Sequence, residues 1–296
     1  MDDTTYDILN KINLNKVELI PLKEFEDREL LNIKNTRAPG EYCFTCTPSL
    51  PLYILKKNPD LDMIAYLDAD LYFYSSPEPI YKEFDNNSIM VIPQRVSKNI
   101  QYLERFGIYN VGMLIFRNDK YGLNCLGWWR KKCIEWCFAY FNKGRFGDQT
   151  YLNDWPERFF GVYVLQHKGA GIAPWNVSQY KIKEINNQIF VDDEPLIFYH
   201  FQSLKIYPNL KFQLYNPPYN ISSNIKKLIY NPYLKELKKI IIKVKIINPY
   251  FNYGLSPEPL ILKRILLNNS KLVKLHLTLK KRIPIYRKFY KCIKNL

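Results

Sequence analysis

Residues 66–74 read YLDADLYFY. They follow directly on an apolar run, Met63-Ile64-Ala65-Tyr66-Leu67, which predicts a buried strand. Asp68 and Asp70 stand at its end, where a carboxylate must be hydrated or find a partner. Alternate residues of an extended chain share one side, so the two carboxylates point the same way. In open α/β sheets ligands bind beyond the carboxyl ends of strands. Two carboxylates there suit a hard divalent cation, which takes oxygen ligands and often keeps substrate phosphates as the others.

The rest of the chain supplies a scaffold for such an end. Of 296 residues, 47% are apolar and 16% aromatic, enough for one large domain, alone or with an appendage, and too many for a disordered chain. Apolar strands are predicted at Val17–Leu22, Met63–Leu67, Ser88–Ile92, Gly112–Phe116 and Glu194–Phe201. Helices are predicted at Glu24–Asn35, Pro48–Lys57 and Asn124–Asn142, and a hairpin turns at Asn186-Asn187. Asp2-Asp3-Thr4-Thr5-Tyr6 reads as the end of a strand and a helix cap. Alternating strands and helices of this kind imply an α/β fold with a mostly parallel central sheet covered on both faces.

Charge divides the chain unevenly. Residues 1–224 hold 25 Lys and Arg against 26 Asp and Glu, whereas residues 225–296 hold 18 against Glu236 and Glu258 alone. The expected organisation is a body over 1–220 and a basic, mainly helical extension over 221–296. Short basic helices are predicted at Leu234–Ile247 and Pro259–Asn269, and Leu275–Leu279 alternates like a strand. A basic extension seeks an acidic partner or forms a solvated face. No nucleic-acid motif accompanies it, so no specific nucleic acid is expected, and an anionic membrane surface is the favoured partner. No apolar run reaches the roughly 18 residues of a membrane span, and the acidic start is unlike a signal peptide, so a cytoplasmic protein is expected. The six cysteines are read as thiols.

Four ordered stretches carry a more specific resemblance. YLDADLYFYSSPEPIY resembles the Asp-x-Asp segment of GT-A fold glycosyltransferases. YNVGMLIFRND (109–119) resembles the Asn-x-Gly strand of glycosyltransferase family 8, GDQTYLNDW (147–155) its Asp-Gln motif, and FYHFQSLK (198–205) its late histidine segment. The resemblance covers residues 1 to about 205. It departs after His200, where the family's Gly and Lys-Pro-Trp do not follow. It also implies that the family's first strand and helix are missing, so that the chain is truncated or its start lies upstream.

The resemblance implies a metal-dependent glycosyltransferase (a hexosyltransferase) that moves a sugar from a nucleotide-sugar, a UDP-sugar by expectation, to a glycan or lipid-linked acceptor, as in surface polysaccharide synthesis. Asp70 would bind Mn2+ or Mg2+, Asp68 the metal or the donor ribose, and His200 would be the third protein ligand. Asn110 and Gly112 would line the sugar pocket. Asp148 would hydrogen-bond sugar hydroxyls or orient the acceptor, or act as base in an inverting reaction, with Gln149 near the anomeric carbon. Arg37 and Tyr42 would contact the nucleotide, although Arg37 reads equally as a surface residue ending a helix. The basic extension would hold the protein at the inner face of the membrane. The alternative is a non-catalytic nucleotide-sugar or glycan-binding protein on a truncated GT-A fold.

Overall fold

The computed structural model describes residues 1–257. The chain divides into one unit of Met1–Gln202 with Pro217–Asn248, and a second of Ser203–Asn216 with the chain from Pro249 on. The first unit opens with helices α1 (Asp3–Ile12), α2 (Leu22–Phe25), α3 (Arg28–Lys34), α4 (Pro39–Cys46) and α5 (Ser49–Lys57). It continues through β1 (Met63–Leu67), β2 (Leu71–Phe73), α6 (Glu78–Phe84), β3 (Ile89–Pro93), β4 (Tyr109–Arg117), α7 (Lys120–Glu135), α8 (Trp155–Arg158) and β5 (Val162–Val164). Then come β6 (Ile182–Ile185), β7 (Gln188–Val191), β8 (Glu194–Pro195) and β9 (Phe198–His200). The second unit contributes the hairpin of β10 (Lys205–Ile206) and β11 (Phe212–Gln213). The first unit closes with α9 (Ser223–Ile225), one π-helical turn, and α10 (Asn231–Ile247).

The central sheet has the order β1-β4-β3-β5 and is mixed, which corrects the expected mostly parallel arrangement. β4 runs antiparallel to both β1 and β3, and only β3 and β5 pair in parallel. A continuous apolar strand reports burial on both faces, not direction, so the two arrangements look alike in sequence. The reversal comes from residues 94–108, which fold as a short 3-10 segment at Lys98–Phe106 and return the chain between β1 and β3.

Alternation along the strands splits the core between the two faces of this sheet. Ile89, Val91, Leu114 and Phe116 pack with Leu55 of α5 and with Leu126 and Trp129 of α7. Met90, Ile92, Met113 and Ile115 pack with Ile80 and Phe84 of α6 on the other side. A second, two-stranded ladder of β2 and β9 branches off at the end of β1.

Several local expectations change. Residues 17–21 form no strand; Val17 and Glu18 are exposed, Met1 N donates to Ile20 O at 3.3 Å and Leu22 N donates to Met1 O at 2.9 Å. The opening residues form the helix cap but no strand, with the Asp2 carboxylate accepting from Thr5 N. The helix expected at Asn124–Asn142 starts earlier and stops at Glu135, because Trp136 is extended and packs its ring on Phe138 and Tyr140. The strand expected at Glu194–Phe201 is split into β8 and β9. The turn at Asn186-Asn187 forms as expected, both residues having positive φ, as a two-residue hairpin of this type requires. Residues Pro217–Asn248, which straddle the boundary expected near 220, pack with the body. Tyr233 stacks on Phe201 at 3.9 Å between ring centroids, and the Tyr74 hydroxyl donates to Ile229 O. The elements expected at Pro259–Asn269 and Leu275–Leu279 lie outside the described residues.

Asp119 joins sheet and helix. It caps α7 by accepting from Tyr121 N and Gly122 N at 2.9 and 2.8 Å, and it takes the Ser88 hydroxyl at 2.6 Å just ahead of β3. Replacing it by Ala leaves those donors unpaired and should cost about 1–2 kcal/mol. Urea unfolding with an unchanged midpoint would rule out that role.

Candidate metal centre

The two carboxylates lie where β1 gives way to β2. Asp68 N donates to Gly112 O at 2.8 Å, which carries the β1–β4 ladder one residue past its last register pair, Leu67 with Met113. The chain then turns, and β2 pairs antiparallel with β9 in the register Leu71 to His200. Phe201 N donates to Asp70 O at 2.9 Å, so the histidine is held directly beside the second aspartate. His200 Nε2 lies 3.0 Å from Asp70 Oδ1 and 3.8 Å from Asp68 Oδ2. Each of the three residues offers one ligand atom, and these atoms all lie within 4.8 Å of one another. His200 is buried, while Asp68 and Asp70 are partly open to solvent.

This donor set fits a divalent cation on its own chemistry. Burial holds the Asp68 carboxyl above its ordinary range. The Tyr66 hydroxyl, 2.7 Å from Oδ1, and the facing His200 work against that shift, while Asp70 adds to it. Two neighbouring carboxylates and one imidazole, grouped at an opening, are what a positive ion would relieve. Oxygen and imidazole donors are compatible with several divalent metals and do not select among them.

Asn110 and Gly112 stand on β4 directly behind the histidine. Asn110 Oδ1 accepts from Gly112 N at 2.9 Å and lies 3.2 Å from His200 Nδ1. Asn110 Nδ2 donates to Gln149 Oε1 at 3.1 Å, and Gln149 Nε2 donates to Phe106 O at 2.9 Å. A Cβ at Gly112 would meet Asn110 Oδ1 at 2.5 Å and His200 Nδ1 at 2.8 Å, so only glycine lets these groups close up. Asp148 is 6% exposed, and its main-chain oxygen accepts from Trp129 Nε1 at 2.9 Å. Burial, with the negative charge of Asp68 adding, pushes its carboxyl up to about 7.

The structure thus brings Asp68, Asp70, His200, Asn110, Gly112 and Gln149 into one contact network, with Asp148 close enough to feel the charge of Asp68. Arg37 and Tyr42 engage other partners. The Arg37 guanidinium donates to Ile134 O at 3.2 Å and lies over the Phe138 ring, and the Tyr42 hydroxyl donates to Glu26 Oε1 at 2.7 Å. His167 Nδ1 faces Glu194 at 3.2 Å.

Two further contributors stand beside these residues, Tyr66, to which the sequence gives no role, and Trp175, whose loop reads either as a close backbone approach to a ligand or as a plain connection with a buried tryptophan. Tyr66 lies two residues before Asp68 in the same strand, so alternation could have placed its hydroxyl there. Trp175, in the loop GAGIAPWN (169–176), meets the His200 ring edge-on at 5.3 Å and donates its indole N–H to Gln94 O at 2.9 Å. Nothing local in the sequence signals that contact.

No known family profile matches the chain. It is 34% identical over 264 residues to the uncharacterized protein YfnD of Bacillus subtilis (strain 168), covering 87% of this chain and 84% of YfnD. The chain belongs to the YfnD family. Uncharacterized YfnF of the same organism is 32% identical over 260 residues, covering 85% of each chain. Among solved structures, a glycosyltransferase involved in glycosylation of the major capsid of PBCV-1 aligns with TM-score 0.38 and 12% identity, over 67% of this chain and 82% of that one. The galactosyltransferase LgtC, in complex with donor and acceptor sugar analogs, aligns with TM-score 0.39 and 15% identity, over 64% and 66%.

The elevated Asp148 has a consequence for stability in this member of the YfnD family. An unfolded aspartate releases its proton near pH 4, whereas folded Asp148 keeps it to about 7. The folded state therefore binds the extra proton across that window, and this group's contribution falls as pH rises through it. In chelator-treated protein, wild type should lose stability between about pH 4 and pH 7 relative to Asp148→Asn. Parallel melting-temperature profiles for the two proteins would contradict the assignment.

Proposed function

We propose that this chain is a metal-dependent glycosyltransferase of the GT-A type, moving a sugar from a nucleotide-sugar to a glycan or lipid-linked acceptor. The observation that carries this reading is the convergence of Asp68, Asp70 and His200 at the end of β1. It is the arrangement expected of an Asp-x-Asp segment completed by a late histidine. Asp68, Asp70 and the Nε2 atom of His200 would hold Mn2+ or Mg2+. When bound, such an ion offsets the negative charge that builds on a departing diphosphate. The chain's own groups do the rest. Asp148 holds or takes up a proton near neutral pH, which suits it to bind a sugar hydroxyl or to receive the proton of an attacking one. Gln149 and Asn110 define the wall behind the ligands.

A calorimetric titration of UDP with and without Mn2+ tests the reading. Wild type should bind UDP measurably more tightly with the metal, and Asp70→Ala should lose that difference. Equal UDP affinity of wild type with and without Mn2+ would sink the proposal.

The basic segment supports a second element of the same proposal, docking on an anionic membrane near a lipid-linked acceptor. No described helix is long and apolar enough to cross a membrane. Helix α10 carries five lysines and one glutamate, and Ile240, Ile242 and Ile246 are among its exposed side chains. A Lys near an anionic surface contributes on the order of 1 kcal/mol. Replacing the five lysines of α10 by Gln should markedly weaken sedimentation with phosphatidylserine-containing liposomes, and undiminished co-sedimentation would exclude this face as the anchor.

A further inference from the structure

The two side-chain amides behind His200 are held at their outer ends by main-chain groups of opposite kind. Gly112 N–H can only donate, and it points at Asn110 Oδ1 from 2.9 Å. Phe106 C=O can only accept, and it takes Gln149 Nε2 at 2.9 Å. Between them Asn110 Nδ2 donates to Gln149 Oε1 at 3.1 Å. Turning over the Asn110 amide would set donor against donor at Gly112. Turning over Gln149 would set acceptor against acceptor at Phe106. The orientation of both amides therefore follows from the backbone and not from a choice between equivalent fits.

His200 Nδ1 lies 3.2 Å from the same Asn110 Oδ1. An oxygen acceptor there calls for a hydrogen on Nδ1. A neutral imidazole then carries its lone pair on the other nitrogen, Nε2, which faces Asp68 and Asp70. Left to its nearest carboxylate, the ring would prefer the reverse. Asp70 Oδ1, 3.0 Å from Nε2, would favour a hydrogen on Nε2.

We propose that Asn110 and Gln149 are positioning residues that hold neutral His200 as its Nδ1–H tautomer, keeping the Nε2 lone pair turned toward Asp68 and Asp70 for a cation. The relay is braced on both flanks. Gly107, at φ +133, leaves room for Gln149, because a Cβ there would stand 2.8 Å from its Cγ. Gln94 Nε2 donates to Gly107 O at 2.5 Å, and Gln94 O receives the indole N–H of Trp175, whose ring meets His200 edge-on. Such an outer hydrogen bond fixes both ring orientation and ligand basicity in histidine metal sites. The proposal builds on the metal-centre reading, but it concerns the state of the ring before any ion arrives.

The test is long-range proton–nitrogen NMR on full-length, chelator-treated protein labelled with 15N-histidine, at a pH alkaline enough to leave the ring neutral. The His200 signals are identified by their loss in His200→Gln. Wild type should show a protonated Nδ1 and an unprotonated Nε2. Asn110→Leu should shift the ring toward Nε2–H and weaken binding of Mn2+ alone by about 10- to 100-fold, whereas Asn110→Asp, which keeps an acceptor oxygen, should keep the tautomer. A wild-type ring protonated at Nε2 overturns the proposal, as does an unchanged tautomer in folded Asn110→Leu. Should Asn110→Leu fail to fold, the wild-type spectrum still decides. If wild type shows Nδ1–H but binds no Mn2+, the metal reading falls and the relay stands.

Discussion

The short antiparallel pairing of β2 with β9 is the constraint on which the candidate site depends. The register Leu71 to His200 brings together residues some 130 positions apart in sequence. The strand side chains alternate with a period of two, so a slip of one residue would turn His200 to the opposite face. The pairing is buttressed rather than long. Phe73 packs on Phe198, Tyr199 shares a hydroxyl contact with Tyr230, and Phe201 lies under Tyr233. The π-helical turn and helix α10, far along the chain, thus frame the ladder that holds the histidine in place. A few strand residues with aromatic support on their outer face do the work that a long sheet would otherwise do.

The charge arrangement at this point opposes folding in isolation. Burial raises Asp68 and Asp148, with the charge of Asp70 adding to the shift at Asp68 and that of Asp68 adding to the shift at Asp148. Asp68 and Asp70 gather with His200 at the end of β1. Salt bridges elsewhere in the protein show the contrast. Arg117 pairs with Asp62, and Arg130 with Asp27 and Glu29, each acid meeting an arginine at the surface. At the end of β1 the only cation-capable partner among the described residues is the histidine itself. Perturbed acids grouped at an opening are the common signature of a functional site.

Behind the ligands the architecture is neutral and directional. Amide side chains are ambiguous donors and acceptors, and they acquire a definite sense only where a main-chain group imposes one. Here Gly112 N–H and Phe106 C=O impose it from opposite ends. Gly112 enters twice, as a donor to Asn110 and as a position with no side chain to hold His200 away.

Much of this was legible in the amino-acid order. The strand before Asp68, the strand at Gly112–Phe116 and the hairpin at Asn186-Asn187 follow from local patterns of apolarity and turn chemistry, whereas Asp68 and Asp70 are brought together across a turn and not by alternation along an extended chain. Those patterns act within a few residues, so the sequence alone determines them. Strand direction did not follow, because an apolar run records burial on both faces and is silent about its neighbours. Nor did the ends of α7, since the aromatics at Trp136, Phe138 and Tyr140 suit either a helix or an extended zigzag until their partners are known. The pairing of Asp70 with His200, the edge of Trp175 on that ring, and the orientation of the Asn110 and Gln149 amides belong to the tertiary structure. Each depends on which distant backbone group lies within hydrogen-bond reach, a distance that only the folded chain sets.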